Sequence, residues 1–542
     1  VSIETNNSLV SNHGGFYKDA GLLILLVLLV LVVSHVSNDF KFGLSPDSCS
    51  YINGGINLAD GQGYVIQRWN PKQPEKTQYP RTGQPPLYSL LIAAGVLLSL
   101  PAGIAAWGIS YGSIAGSIIL VYIITRIVYG RRTAVWAGFF CAVTVGFINK
   151  GFWAWSEPSF TLLLLLAVLA FVLQRRSDIA NRKLRYMILC GIFLVLSFYN
   201  RYIGIFCVVP FFLEMSIDAL RDRQSRKNLI VFVSVLVVGM GVLLGRNYYY
   251  TGNPLGSARA ASQDSFLTVV SSAVNGITTV FSGGLSGSSR AFFAGPVHGY
   301  ISAVLLFLLA GLYIYLLLKR SRHSLILGMV MIVILSLVCL RTLSSFDPLD
   351  SHGSRLLSPV FPYIAILLAV VVRSLIGSVA GAKGGGFLAV LLRLIGVFGF
   401  LTLQAAYMQG GAADYARMGM ANAPQVLDWV QNNIPEQSKI LINYDALQIS
   451  ARTNAYPLCL VPQGTDARKC WDRQKFREAV ESAGRCWFVF IWHHEKNLSR
   501  QINSYGQYVP ELLRQGKNEE FVLAAKFSNG LVYKSLPISR AK

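Results

Sequence analysis

The chain has 542 residues, of which 53% are hydrophobic and only 14% charged. Soluble domains carry roughly 25% charged residues, so this composition excludes a wholly soluble protein and puts much of the chain in lipid. The formal net charge of +22 has the sign expected for nucleic-acid binding. Yet basic residues also collect in cytoplasmic loops of membrane proteins, where they fix orientation. No basic and aromatic interleaving continues outside the apolar segments, which argues against a nucleic-acid partner.

Apolar runs close to the roughly 20 residues that a bilayer needs predict the crossings in chain order. The first covers residues 20–37, too long for a signal-peptide core of ~7–15 residues and without a small-x-small cleavage site. Residues 87–100 are apolar but short and end at Leu100-Pro101; they either cross or lie along the interface. Spans follow at 107–127, 134–148 and 160–173. Two short runs, 186–199 and 202–215, meet at Asn200-Arg201 with basic clusters on both outer flanks, which predicts a tight helical hairpin with Arg201 at its far tip. Further spans are expected at 229–244, 301–318, 325–340, 363–379 and 387–403, about eleven crossings in all.

Charge orients these segments. Arg126/Arg131/Arg132, Arg175/Arg176/Arg182/Lys183/Arg185, Arg221/Arg223/Arg226/Lys227 and Lys319/Arg320/Arg322 all fall in short loops on one side, with Arg373 and Lys383. That side is the cytoplasm. Residues 149–159, 245–297 and 341–358 then face outward, as does the chain after about Tyr407. The loop at 38–106 also faces outward if 87–100 is interfacial. Its Lys41, Arg68, Lys72, Lys76 and Arg81 mildly favour the opposite arrangement, in which 87–100 crosses.

Residues 408–542 differ in composition. Short β-branched or aromatic runs at 439–443, 456–461, 486–492, 520–527 and 531–536 read as strands, and 426–433, 474–483 and 509–515 as helices, so a small α/β domain is expected. The glycines from Gly381 to Gly386 form a connector. Cys141, Cys190, Cys207 and Cys339 lie in spans as packing residues. Cys49, Cys459, Cys470 and Cys486 are external and allow three pairings; Cys459 with Cys470 stands against free thiols. His493-His494-Glu495 suggests a metal, but adjacent histidines on a strand point to opposite faces. Asn497-Leu-Ser499 has glycosylation spacing only.

The chemical candidates are charged groups on the outer side. Ser45-Pro46-Asp47-Ser48 puts a carboxylate at a membrane boundary, where it is costly unless solvated, paired or functional. Asp47 is either a general base or cation ligand, or a carboxylate capping a helix start. Asp39 is the runner-up, and Asp60 is a turn residue. Ser156-Glu157-Pro158 opens the span at 160–173; Glu157 is either a second functional acid or an ordinary first-turn acid favoured by the helix dipole. Arg246, in Gly245-Arg-Asn-Tyr248, ends one span, Arg355, in Ser354-Arg-Leu-Leu-Ser-Pro359, begins another, and Arg201 tips the hairpin. Guanidinium forks suit phosphate, although any single one also suits snorkelling at a helix end.

The order Asp47…Tyr51…Asn57-Leu58…Pro85-Pro86-Leu87-Tyr88, followed by Ser156-Glu157-Pro158, Arg246-Asn247-Tyr248…Gly252-Asn253-Pro254 and Arg355…Pro359…Pro362, resembles the polyprenol-dependent GT-C glycosyltransferases. That superfamily includes the aminoarabinose transferases acting on lipid A, the protein O-mannosyltransferases and the oligosaccharyltransferase catalytic subunit. The resemblance covers residues 20 to about 405. It implies an α-helical polytopic GT-C-type domain over 1–407, with a large first extracytoplasmic loop at 38–106, and a C-terminal extracytoplasmic α/β domain over 408–542. It further implies Asp47 and Glu157 as catalytic residues, Arg246, Arg355, Arg201 and Arg81 on the donor phosphate, and Tyr51, Tyr88 and Asn247 as substrate-binding residues. Aminoarabinose transferases carry a Lys just before Pro-Pro; here that residue is Gln84, and Arg81 is its candidate replacement.

The implied partners are a polyprenyl-phosphate-linked sugar, membrane lipid and an extracytoplasmic glycan, lipid or protein acceptor, in a bacterial inner membrane. No spacing demands a cofactor; a divalent cation (Mg2+ or Mn2+) is left open, with Asp47 and Glu157 as its ligands. No cytoplasmic loop is large enough for a nucleotide-sugar domain. The alternative class is a flippase or secondary transporter, but such proteins bury ionisable groups at mid-membrane and often show paired repeats. Here the polar groups gather at one surface, no repeat is visible and no His-based acyl-transfer motif occurs.

Overall fold

A computed structural model gives the structure of the chain and describes residues 13–38, 45–67, 78–221, 223–256, 261–281, 296–346, 349, 354–380, 385–407, 424–435, 438–442, 456–459, 486–491, 521–527 and 530–535. The helices are α1 (His13–Asn38), α2 (Pro46–Ala59), α3 (Leu87–Leu97), α4 (Ala102–Tyr129), α5 (Arg131–Val143), α6 (Val145–Ile148), α7 (Ser156–Arg176), α8 (Ala180–Asn200), α9 (Val208–Ala219), α10 (Arg223–Thr251), α11 (Phe266–Phe281), α12 (Pro296–Leu318), α13 (Ser324–Leu343), α14 (Phe361–Ala380), α15 (Gly385–Tyr407) and α16 (Pro424–Asn433). Among the described residues nine helices are long and apolar enough to cross a membrane, ten if the bent pair α5–α6 is one span. With the apolar stretch Gly21–Val36 of α1, every span expected from the sequence is present. The chain is an integral multi-pass membrane protein.

α3 has only 11 residues, about 16 Å at 1.5 Å per residue, against the ~30 Å hydrocarbon core. It packs against α2 and α4, with Tyr88 and Ile92 buried and Leu97 and Leu98 exposed. That division suits a helix resting at the membrane surface. Cysteine labelling in residues 60–80 is therefore expected from the outer face of intact cells. Labelling only after the inner face is opened would reverse the architecture.

Three features depart from the expectations. Residues 134–148 are not one straight span: α5 stops at Val143, and the continuation Val145–Phe152 turns by 62°. Thr144 at the break is extended (φ −72°, ψ 95°), and its hydroxyl donates to the Phe140 carbonyl at 2.6 Å. A backbone N–H freed in this way is costly in lipid unless protein satisfies it. The side-chain carbonyl of Gln404 on α15 accepts the Val145 N–H at 3.0 Å, and its amide donates to the Val280 carbonyl of α11 at 3.0 Å.

The second departure is the hairpin. α8 and α9 do meet at Arg201, through the 3-10 turn Tyr202–Ile205, but they splay instead of pairing tightly. α8 packs on α7 and α10, whereas α9 packs on α10 and α13. At the turn, a Cβ on Gly204 would lie 2.7 Å from the Phe198 amide nitrogen, so glycine is required for this backbone approach. Third, the amphipathic α11 and the short antiparallel pair β1 (Val65–Gln67) and β2 (Gln78–Pro80) have no counterpart in the apolar-run reading. Of the intramembrane cysteines, Cys141, Cys190 and Cys207 are buried as expected, while Cys339 is exposed.

Toward the C-terminus, β3 (Lys439–Ile442), β4 (Tyr456–Cys459), β5 (Cys486–Ile491), β6 (Phe521–Phe527) and β7 (Gly530–Ser535) form one sheet of order β4-β3-β5-β7-β6. β3 runs parallel to β4 and β5, and β7 is antiparallel to β5 and β6. α16 lays Val426 and Val430, with Ile434 just after it, on Ile440, Val489 and Val532, the expected α/β packing. Helices 474–483 and 509–515, the Cys459–Cys470 pairing, His493-His494-Glu495 and Asn497 lie outside the described residues, as does Asp39.

Candidate active site

The first acid is set by a helix start. Ser45 caps α2, accepting the Ser48 N–H on its hydroxyl at 3.2 Å, and Pro46 occupies the first helical turn. Asp47 thus gains from the helix dipole, but its carboxylate has further partners. One oxygen, Oδ2, lies 2.7 Å from Nη2 of Arg355, and the side chain stays 42% exposed. The other, Oδ1, accepts the Gln84 amide at 3.1 Å.

The second acid opens α7 and is closed off. Glu157 is 0% exposed, and its Oε1 takes Nε of Arg355 at 2.5 Å and Nη1 of Arg201 at 2.8 Å. Its Oε2 is buried with no hydrogen-bond partner among the described residues. Arg355, 7% exposed, therefore bridges both acids. It follows Ser354, whose φ of 58° puts a non-glycine residue in the sparsely occupied left-handed region. Trp155 forms a floor for this cluster. Its ring lies 4.2 Å from the Arg355 guanidinium and stacks on Trp153 at 4.5 Å, and its N–H donates to the Ser45 hydroxyl at 2.7 Å.

A second group of cations adjoins the first through Gln84. The Gln84 carbonyl accepts from the Ser50 hydroxyl at 2.7 Å and from Nη1 of Arg81 at 3.2 Å, which fixes the amide with its NH2 toward Asp47. Nη1 of Arg81 also donates to the Ser50 carbonyl and hydroxyl, whereas Nε and Nη2 are buried without a partner among the described residues. Burial lowers the Arg81 pKa from its ordinary value. Arg246 donates to the Arg81 carbonyl at 3.0 Å and sits 5.5 Å from the Tyr64 ring and 5.2 Å from Tyr250.

The aromatic and amide candidates hold this frame. Tyr51 shares a 2.9 Å hydrogen bond with Ser156, which Arg201 also reaches at 3.2 Å; burial pushes the Tyr51 pKa up to about 12, keeping it a neutral phenol. Tyr88 packs edge-on to Tyr51 and turns its hydroxyl to the Ala106 carbonyl at 2.8 Å and to Ser110 at 2.6 Å, tying α3 to α4. Asn247 donates to the Tyr202 hydroxyl at 2.8 Å and to the Pro254 carbonyl at 3.1 Å, and accepts from Arg246 at 3.2 Å. Asp60 caps the end of α2 ahead of Gly61 (φ 74°), so it is a turn residue.

Sequence reasoning passed over Lys150, Trp155 and the bridging role of Gln84. Each is a single residue without a spacing signal, and only the turn of the broken span brings Lys150 inward. For a divalent ion the donor set is poor. Among the described residues no three His, Cys, Asp or Glu side chains gather, and both Asp47 and Glu157 are engaged by arginine.

The class is defined by fold. A family model described as dolichyl-phosphate-mannose-protein mannosyltransferase matches residues 83–244. ArnT from Cupriavidus metallidurans, in the apo state, superposes with a TM-score of 0.57 at 14% identity, over 95% of this chain and 98% of that one. The same protein bound to undecaprenyl phosphate gives the same values. The Archaeoglobus fulgidus oligosaccharyltransferase tethered to an acceptor peptide gives a TM-score of 0.58 at 15% identity, over 95% of this chain and 74% of that one. A comparison with curated protein sequences finds no match. The chain has the GT-C fold that these polyprenyl-phosphate-dependent glycosyltransferases share, as the sequence resemblance implies.

Proposed function

We propose that this protein is a membrane glycosyltransferase, moving a sugar from a polyprenyl-phosphate donor to an acceptor hydroxyl on the extracytoplasmic side of a bacterial inner membrane. The observation that carries this reading is the Asp47–Arg355–Glu157–Arg201 cluster, assembled from α2, α7, α8 and the entry to α14. Support also comes from neighbours of the same fold that were solved with undecaprenyl phosphate and with dolichol phosphate. The catalytic unit is 1–407, with the first loop over 38–106, and 408–542 is a separate extracytoplasmic domain. The acceptor is a glycan, lipid or protein.

The chemistry follows from exposure and charge. Asp47 is the accessible acid and takes the acceptor hydroxyl proton as general base. The acceptor oxygen then bonds to the anomeric carbon as the bond from that carbon to the phosphate oxygen breaks, inverting the centre. The departing oxygen stays with the phosphate, a good leaving group that needs no general acid. Charge growing there meets preorganised guanidinium groups: Arg355 and Arg201 from the cluster, and the unfilled Nε and Nη2 edge of Arg81, with Arg246 behind it. Glu157 is sealed from solvent and serves to hold Arg201 and Arg355 in place. Tyr51, Tyr88 and Asn247, all buried, brace the substrate side of the cluster from α2, α3 and α10.

The reading is tested by transfer of label from radiolabelled polyprenyl-phosphate sugars in membranes carrying the protein; lipid movement without sugar transfer would replace it with a flippase. Arg355→Ala and Arg246→Ala are each expected to weaken donor use by about 10- to 100-fold, the range for hydrogen bonds to charged groups. Arg→Lys should rescue only in part, because the two-pronged fork is lost. Unchanged kinetics in both alanine variants, with normal expression, would reduce these residues to interfacial anchors.

A further inference from the structure

Gln84 touches the accessible acid, and three features fix where its side chain points. The first is local: it precedes Pro85, which narrows the conformations open to its backbone. The second is the anchoring of the segment that carries it. The Arg81 carbonyl accepts from Arg246 at 3.0 Å and the Thr82 carbonyl from the Tyr202 hydroxyl at 2.6 Å. The Gln84 and Pro85 carbonyls meet the Tyr64 hydroxyl, each at 3.1 Å. The third is a match to one helix face. Asp47 and Ser50 stand three residues apart on α2 and so lie side by side. The Gln84 amide spans them, accepting the Ser50 hydroxyl at 2.7 Å and donating to Oδ1 of Asp47 at 3.1 Å. A side-chain amide suits this place because it accepts at one end and donates at the other.

From this geometry we propose that Gln84 is a positioning residue for the general base, aiming the Asp47 carboxylate at the acceptor hydroxyl. Arg355 holds Oδ2 at 2.7 Å and Gln84 holds Oδ1, so both oxygens are fixed by elements other than the helix that carries the acid. An aspartate 42% exposed would otherwise spread over its rotamers. Holding it in the reactive orientation removes that entropy from the barrier. A neutral N–H does this without placing another full charge against the base. Through its carbonyl the same amide meets Nη1 of Arg81 at 3.2 Å, so one side chain sets both the base and a phosphate-facing guanidinium. This rests on the transferase reading above and adds the residue that aims its base.

The test follows transfer from radiolabelled polyprenyl-phosphate sugars in membranes carrying the full-length protein, with donor concentration varied. Gln84→Met, close in length but with no amide, should lower kcat about 10- to 100-fold, the scale of one hydrogen bond to a charged group. The donor KM should change little, because Arg81 keeps the Ser50 carbonyl and hydroxyl. Gln84→Glu retains an acceptor for Ser50 and Arg81 yet cannot donate to Asp47, and should lose kcat to the same extent. In the Asp47→Asn background, Gln84→Met should add no further loss, since a residue acting only through Asp47 has nothing left to aim; a double-mutant cycle reports this coupling. Additive losses accompanied by a lower melting temperature, or full kcat in Gln84→Glu, would overturn the assignment and leave the transferase reading standing. A raised donor KM at unchanged kcat would also overturn it, making Gln84 a donor contact. Absence of transfer from any of these donors by wild type would overturn both readings.

Discussion

Asp47→Asn is expected to lower sugar transfer by ~10²–10⁴-fold, the usual contribution of a general base, in a protein that still folds and still binds the lipid donor. The amide oxygen can continue to accept from Gln84, so the start of α2 keeps its packing. Arg355 retains Glu157 as an ion-pair partner at 2.5 Å, so no buried cation is stranded. Donor affinity should hold or rise, since a carboxylate no longer competes with phosphate for the guanidinium. If Asp47 instead holds a cation bridging to the phosphate, donor binding would fall and added divalent ions would matter. Full activity in this variant with Asp39→Asn inactive would mean that Asp39 is the base. Full activity in both would sink the mechanism.

Glu157→Leu should show the largest loss of stability. Glu157 Oε1 is the shared acceptor of Arg355 and Arg201, and removing one partner from a buried ion pair costs about 3–5 kcal/mol because the remaining charges are left uncompensated. Thermal unfolding and yield in detergent would register this. Glu157→Gln keeps an acceptor oxygen and loses only charge, so it should destabilise less and retain measurable transfer. That variant separates the two readings of the residue. A Glu157→Gln protein of normal stability that is as inactive as Asp47→Asn would make Glu157 a proton-transfer or ion-binding group, not a brace for the arginines.

The bilayer made most of the fold legible. A helix crossing lipid must satisfy its own backbone and face apolar surroundings, so runs such as 229–244 and 325–340 announce themselves, and α10 and α13 follow. The same rule made the broken span unreadable. Thr144 sits in a run as apolar as its neighbours, and the amide it frees is satisfied by Gln404, 259 positions along the chain. α11 was missed because it has only 16 residues and its apolar positions are interrupted by Ser271, Ser272, Asn275, Thr278 and Thr279, so no continuous apolar run marks it. The splaying of α8 from α9 depends on a backbone contact at Gly204 that no periodicity encodes.

The sequence by itself determined the apolar membrane-spanning helices and the helix-start positions of Asp47 and Glu157, and it set Arg201, Arg246 and Arg355 at the ends of such helices, because local charge and hydropathy fix those. Only the tertiary structure decided how the groups divide their work. It joined Arg355 to both acids, sealed Glu157 and left Asp47 half open. It turned Gln84 into a bridge between Asp47 and Arg81, and it brought Lys150 to Trp155. Those outcomes depend on burial and on distances between residues far apart in the chain. Coulomb and desolvation energies vary with separation and local dielectric, and neither quantity exists until the helices have packed.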